Sequence, residues 1–350
     1  MQPGWIDSPH HELALGDFRV ESGEAIRDFR LSYAVHGAPQ AGSAGSLRDA
    51  ANVILALSAI SSSHHRLDFL IGEGRALDPR RTVVLAVDAI GNGLSTSPST
   101  STLQPGTAFP DFTIRDMVAS QVALLEHLGI RRLRAVVGAS MGGMQALQWA
   151  VSHGARVERV VAMTPMARTT PWAAAVNEAS RRALFEPGER QVRPRGDWSA
   201  WVPLMQLIAG RTPRQVDREF GSAAEVIDWI RRRTDWWQEQ QFDPLDWLYQ
   251  SRAYDAHDVG TTPGFNGDTA AALQSVCVPV LVLAPALDLY NPADAARAAA
   301  SGMPGGRFLE IPSPWGHQSA SPADPAAAAI LNQAIGEFLD QPATPATPAT

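Results

Sequence analysis

The sequence predicts an α/β protein: a mostly parallel, doubly wound sheet with a helical segment inserted late in the core. Three observations predict it. Short apolar runs recur along the chain, they are continuous rather than alternating, and amphipathic helical patterns separate them. Continuous runs suit strands covered on both faces, and regular strand–helix alternation builds a parallel sheet. Residues 17–21 and 29–36 read as an opening antiparallel pair. Residues 52–57 (NVILAL), 82–88 (TVVLAVD), 134–138 (RAVVG) and 159–164 (RVVAMT) follow, and 278–284 (VPVLVLA) and 307–311 (RFLEI) come late. Between them, residues 113–128 set Ile114, Met117, Val118, Val122, Leu125 and Leu128 on one helical side, and Gly129 stops the helix. Residues 141–153 and 325–339 carry two further helices.

Residues 166–272 break this rhythm. They hold helical stretches, no clear buried strand and seven of the ten tryptophans (Trp172, Trp198, Trp201, Trp229, Trp236, Trp237, Trp247). The segment reads as a helical cap inserted in a core made of residues 15–165 and 273–340. Most of its tryptophans are expected to fill the cap's own core, with a few left to line an apolar pocket. Residues 341–350 repeat Pro-Ala-Thr, which cannot bury a core, and read as a disordered tail.

The composition removes several classes of function. With 350 residues, 45% hydrophobic and 19% charged, the chain can bury a large core. No apolar run reaches membrane-spanning length, so no membrane partner is expected. The first 13 residues carry Asp7 and Glu12, lack an apolar stretch, and do not read as a signal peptide. A single cysteine, Cys277, rules out an intramolecular disulfide framework and fits a reducing cytoplasm, where the chain is expected. The net charge is −7, and every basic residue is arginine. Without lysine there is no Walker A loop, so P-loop nucleotide chemistry is excluded. The arginines are scattered in pairs, apart from Arg231 to Arg233, as solvated helix faces are, so no nucleic-acid partner is expected. Gly91-Asn92-Gly93 follows a strand, but no third glycine completes a dinucleotide fingerprint. No His, Cys, Asp or Glu group shows metal-ligand spacing, so no metal is expected.

Gly138-Ala139-Ser140-Met141-Gly142 matches G-x-S-x-G. Its context gives the match meaning: a buried strand feeds straight into it and an amphipathic helix leaves straight after it. That is the nucleophile elbow of the α/β-hydrolase fold, in which a strained turn lifts the serine above the sheet. A side chain at 138 or 142 would collide with the neighbouring strand or helix. A serine hydroxyl needs a base, and the base needs an orienting acid, in the order Ser, acid, His on this fold. Asp288 follows the strand 278–284, with Asp294 the rival that reads as a helix start. His317 lies after the strand 307–311. His127 and His153 fall on helices, His257 in the cap, and His64 and His65 before the nucleophile. Two donors must hold the oxyanion. One is the backbone N–H of Met141. The other comes from the loop after residues 52–57, at Ile60 or Ser61, where Ser58, Ser61, Ser62 and Ser63 also read as ordinary loop polarity.

Beyond the five-residue elbow, Gly138 to Leu147 (GASMGGMQAL) resembles the homoserine O-acetyltransferase branch of α/β-hydrolases. Phe109-Pro110 and Thr113 to Val118, Asp288-Leu289-Tyr290 with Pro292, Gly316-His317, and the stretch from Thr164-Pro165 to Arg182 are similar to that family too. The resemblance spans about residues 15–340. It implies an acyl-enzyme at Ser140, a small-molecule ester or acyl donor, and a homodimer formed through the cap. Two positions depart from the pattern. Ser58 stands where a His is usual, and Gln318 stands where an Asp holds the amino group of homoserine. A neutral amide offers an ammonium no charge-assisted bond, so Ser61 and Gln318 remain as substrate-contact candidates without homoserine as the expected acceptor. Three readings follow. The first is hydrolysis of small carboxylic esters without a cofactor. The second is an O-acyltransferase using acetyl-CoA and another alcohol. The third is a non-catalytic binding protein on the same fold.

Overall fold

The computed structural model describes residues 4–38, 47, 50–186, 193–194, 197–240 and 242–342. The Pro-Ala-Thr repeat expected to be disordered lies, from residue 343 on, outside the described residues. Strands β1 (His10–Arg19) and β2 (Ala25–His36) form the opening hairpin; β3 (Val53–Leu57) and β4 (Val83–Val87) precede helix α1 (Ile114–Leu128). Then come β5 (Ala135–Ala139), α2 (Met141–His153) and β6 (Val160–Met163). The chain continues through α3 (Pro171–Leu184), a two-residue pair β7 (Phe185–Glu186) and β8 (Arg193–Pro194), α4 (Trp201–Met205), α5 (Pro213–Glu219), α6 (Ala223–Glu239), α7 (Pro244–Asp255) and α8 (Thr269–Gln274). It returns to the sheet as β9 (Val280–Ala284), α9 (Ala293–Gly302), β10 (Gly306–Glu310) and α10 (Pro325–Asp340).

The main sheet has eight strands in the order β1-β2-β4-β3-β5-β6-β9-β10. The pairings β1–β2 and β2–β4 are antiparallel and the rest are parallel. Every residue of β3, β4, β5, β6 and β9 is buried. Alternate residues feed two cores: Val83, Leu85 and Val87 join α1 and α2 on one face, and Val84 and Ala86 join α10 on the other. The amphipathic pattern of α1 starts at a capping box between Thr113 and Asp116 and ends at Gly129 with φ 71°.

Register places the chemistry. Leu57 pairs with Gly138, Ala139 with Met163, Met163 with Leu283, and Ala284 with Glu310. The carboxyl ends of β3, β5, β6, β9 and β10 therefore finish side by side, and the loops that follow them rise from one edge of the sheet. Between β6 and β9, Trp198, Trp201, Trp237 and Trp247 form a ring cluster with centroids 5.0–5.7 Å apart. These tryptophans fill the interior of the helical segment. Trp172 is 51% exposed and its indole N–H donates to Leu289 O at 2.6 Å, beside the loop that carries Asp288.

Candidate active site

The elbow forms where the motif puts it. Ser140 follows the last residue of β5 and precedes the first of α2, with φ 58° and ψ −123°. A non-glycine residue in that region is strained and persists only when its surroundings hold it. Here the Ser140 N–H donates to Met163 O (2.9 Å) and Thr164 Oγ1 (3.2 Å). The glycines make the turn possible: a Cβ at 138 would sit 2.0 Å from Gly142 O, and one at 142 would sit 2.6 Å from Leu57 O.

Ser140 Oγ lies 2.7 Å from His317 Nε2, and His317 Nδ1 lies 2.8 Å from Asp288 Oδ2. His317 sits on the tight turn Gly316–Ala320 after β10, and Asp288 on the loop after β9. All three are buried: Ser140 is 3% exposed, His317 6% and Asp288 5%. Asp288 Oδ1 accepts the backbone N–H groups of Tyr290 (2.9 Å) and Asn291 (2.8 Å), so the carboxylate is fixed on one side and faces the imidazole on the other. The rival Asp294 sits in the first turn of α9, as a helix-start residue should.

The two donors expected for an oxyanion lie at the start of α2 and in the loop after β3. Met141 is the first residue of α2, where an N–H has no intrahelical acceptor. In the loop after β3, Ala59 N–H donates to Ser62 Oγ, Ser61 N–H to Gln250 Oε1 and Ser62 N–H to Ala59 O. The Ile60 N–H, unlike these three, has no acceptor among the described residues. Ser61, offered as a substrate contact, thus has its N–H committed. Gln318 is half-buried; its N–H donates to Trp315 O (3.3 Å) and its carbonyl accepts from Ser321 Oγ (2.7 Å). Ser58 Oγ accepts the Ala89 N–H at 2.9 Å.

The fold also gathers groups the sequence did not. Tyr254 of α7 is fully buried and its phenol donates to Asn291 Oδ1 (2.5 Å), while Asn291 Nδ2 donates to Thr164 O (2.7 Å). Burial holds the Tyr254 hydroxyl well above the usual tyrosine range, so it stays protonated. Tyr290 stacks on Tyr254 and sets its ring edge-on to His317 at 5.1 Å. These residues come from three elements distant in sequence; Tyr290 and Thr164 lie in the family-like stretches, while no motif flags Tyr254 or Asn291.

His64 and His65, which precede the nucleophile in the chain, are both engaged. His64 Nδ1 bonds Asp88 Oδ2, and His65 Nδ1 bonds Asp68 Oδ2, each at 2.8 Å. Spacing along the chain showed no metal-type cluster, yet the fold brings His10, His64 and Asp88 together with their ligand atoms within 4.8 Å. The residues are far apart in sequence and meet at the end of β4. Asp88 already accepts four bonds there, from Ser32 Oγ (2.5 Å), His64 Nδ1 (2.8 Å), His64 N–H (2.7 Å) and Asn92 Nδ2 (2.9 Å), which fills its lone pairs.

A serine on a strained elbow, a base within bonding distance and a fixed carboxylate behind it make an arrangement able to form and break an acyl-enzyme. The sheet order and the elbow define an α/β-hydrolase-fold enzyme, and the family model described as "alpha/beta hydrolase fold" matches residues 55–193. The chain is 34% identical to a homoserine O-acetyltransferase of Thermus thermophilus over 263 residues, 72% of this chain and 67% of that one. It therefore belongs to the homoserine O-acetyltransferase-like branch of the α/β-hydrolases, a family of acyl-transfer enzymes that includes esterases. Among solved structures it is similar to the acetyl esterase MekB, with TM-score 0.83 and 27% identity over 95% of this chain and 97% of that one. It is equally similar in shape to an acetylester hydrolase from Corynebacterium glutamicum, with TM-score 0.83 and 25% identity over 95% and 96% of the two chains. Among the described residues no helix is long and apolar enough to cross a membrane.

Proposed function

We propose that the protein hydrolyses small carboxylic esters through an acyl-Ser140 intermediate. Ser140 Oγ attacks the ester carbonyl as His317 Nε2 takes its proton. Asp288 keeps His317 in the tautomer with the proton on Nδ1 and stabilises the imidazolium that forms. The Met141 and Ile60 N–H groups hold the oxyanion. His317 returns its proton to the leaving alcohol and then takes one from water, whose oxygen attacks the acyl carbonyl; as that intermediate collapses His317 gives the proton to Ser140 Oγ, releasing the acid and free Ser140. The helices between β6 and β9 act as a cap over this site, and the near-complete burial of Ser140 and His317 favours short acyl groups. No cofactor is needed for either half-reaction.

The observation that carries acyl transfer is the continuous line Ser140–His317–Asp288 at 2.7 and 2.8 Å. The observation that favours water over homoserine is Gln318, an amide where the homoserine-using pattern has a carboxylate. The second reading, transfer from acetyl-CoA to another alcohol, is favoured by the 34% identity to a homoserine O-acetyltransferase. A paired assay separates them. One p-nitrophenyl acetate reaction is run in water and one with a panel of alcohols, homoserine included. Steady p-nitrophenol release in water, absent in Ser140→Ala, supports hydrolysis. Rapid acylation that stalls until an alcohol is added overturns it in favour of the transferase. The homodimer through the cap that the resemblance implies is checked by light scattering on the same preparation.

A further inference from the structure

An oxyanion donor works only if its loop is held still. The loop after β3 turns at Ser61, whose φ of 52° lies in the left-handed region that a serine rarely adopts. Most of its anchors come from the sheet core. Ala89 N–H reaches Ser58 Oγ (2.9 Å), Gln145 Nε2 reaches Ser58 O (3.0 Å) and Asn92 Nδ2 reaches Ser62 O (3.1 Å). The anchor at Ser61 itself comes from elsewhere. The Ser61 N–H donates at 3.0 Å to Gln250 Oε1, on α7 and 189 residues away in the chain. The other end of the same amide donates from Nε2 to Ile90 O at 3.1 Å. Gln250 is 1% exposed. An amide with both ends bonded and water excluded cannot turn without losing a bond, and its two partners fix which end is oxygen.

We propose that Gln250 is a positioning residue for the oxyanion hole, holding the left-handed turn at Ser61 so that the adjoining Ile60 N–H faces the acyl oxygen. The proposal rests on the acyl-transfer reading, in which Ile60 is the second donor. Without the Gln250 oxygen, the strained left-handed turn at Ser61 loses the bond that holds it. Relaxation at Ser61 rotates the neighbouring peptides and carries the Ile60 N–H off line. A donor of this kind acts on the tetrahedral states and hardly at all on the bound ester, so its loss falls on kcat and spares KM. The sheet alone then does not complete the site: α7 must be docked for the hole to be in register. Tyr254, one turn further along α7, reaches Asn291 in the Asp288 loop from the same helix.

The test compares Gln250→Met, which keeps the shape and loses both bonds, with Gln250→Glu, which keeps an acceptor for Ser61 and loses the donor to Ile90. Each is assayed for p-nitrophenyl acetate turnover and for inhibition by a trifluoromethyl ketone, whose adduct with Ser140 carries an oxyanion. The matching methyl ketone, which binds without forming that adduct, serves as the reference ligand. Gln250→Met is expected to lower kcat roughly 10- to 100-fold, somewhat less than outright removal of an oxyanion donor, with KM within about twofold. It should weaken the trifluoromethyl ketone by the same factor and leave the methyl ketone unchanged, and Gln250→Glu should recover part of both losses. Wild-type kcat and trifluoromethyl ketone affinity in Gln250→Met overturn the proposal. So does an equal loss of both ketones together with a lowered melting temperature, which would mark a general loosening. If Gln250→Met fails to fold, Gln250→Ala, which also removes the acceptor for Ser61, decides: a loss confined to kcat and the trifluoromethyl ketone supports the role, and wild-type values refute it. A wild-type enzyme that shows no acyl adduct at Ser140 by mass spectrometry overturns the acyl-transfer reading instead, which a failed Gln250 prediction leaves standing.

Discussion

At the scale of single residues, the two oxygens of Asp288 do different work. Oδ1 accepts two backbone N–H groups and Oδ2 accepts from His317. In Asp288→Asn the amide oxygen must stay on the backbone side, so the NH2 faces His317 Nδ1 and forces the proton onto Nε2. That tautomer cannot take the Ser140 proton. We expect kcat for acetyl esters to fall by about three to four powers of ten, with melting temperature and KM near wild type. An Asp288→Asn enzyme with more than a tenth of wild-type kcat would rule out the tautomer argument. Tyr254 offers a milder probe. Tyr254→Phe leaves Asn291 Oδ1 buried without its donor, which costs about 1–3 kcal/mol of stability in urea unfolding. Unchanged stability would show that Asn291 finds another donor.

Among elements, the closest fit is between the end of β3 and the first turn of α2. Gly142 lies so near Leu57 O that an alanine there must push the two apart. Gly142→Ala is expected to destabilise the fold by about 1–3 kcal/mol, as over-packing does, and to displace the Met141 N–H along with the helix start. Its signature is a joint loss of stability and kcat, whereas Asp288→Asn should lose kcat alone; a Gly142→Ala enzyme with wild-type melting temperature would contradict it. The loop carrying His317 is gripped from the inserted helices as well. Thr212 Oγ1 donates to Pro314 O, and the Arg211 guanidinium lies over Trp229 (4.3 Å) and Trp315 (5.0 Å) while paired with Glu219. Both loops that flank the nucleophile, at Ser61 and at His317, therefore take part of their position from helices that are not in the sheet.

In the molecule as a whole, what was legible in the sequence was local. The strands β3, β4, β5, β6 and β9 are continuous apolar runs because both faces are buried, and the elbow and the order Ser140, Asp288, His317 are set by neighbours in the chain. The apolar pattern places the opening strand at 17–21, whereas it runs His10–Arg19, since an edge strand with mostly exposed side chains leaves no apolar run along its length. Gln250, Tyr254 and the His10–His64–Asp88 group were invisible because each acts across elements far apart in sequence. Two titratable groups between β6 and β9 carry the last prediction. His257 is buried with Nε2 bonded to Met166 O, and burial pulls its pKa down to about 4. Asp246, bonded by the Ser99 N–H and hydroxyl, is pushed up by burial to about 6. Between about pH 4 and 6.5 the unfolded chain protonates His257 and the folded chain does not, so this stability is full above 6.5 and is lost as pH falls. Asp246 acts with the opposite sign. Its folded state holds the proton longer, so its contribution is greatest below the unfolded value near 4 and declines as pH rises towards 6. The two partly cancel in the wild type. His257→Gln should remove a pH-dependent loss on the order of 3 kcal/mol and leave a chain that loses stability from pH 4.5 to 6. Asp246→Asn should do the reverse and steepen the loss in acid, by a smaller amount because Asp246 is only half-buried. Urea unfolding midpoints at pH 4.5, 5.5, 6.5 and 7.5 read both slopes, and pH profiles parallel to wild type in the two variants would refute the assignment.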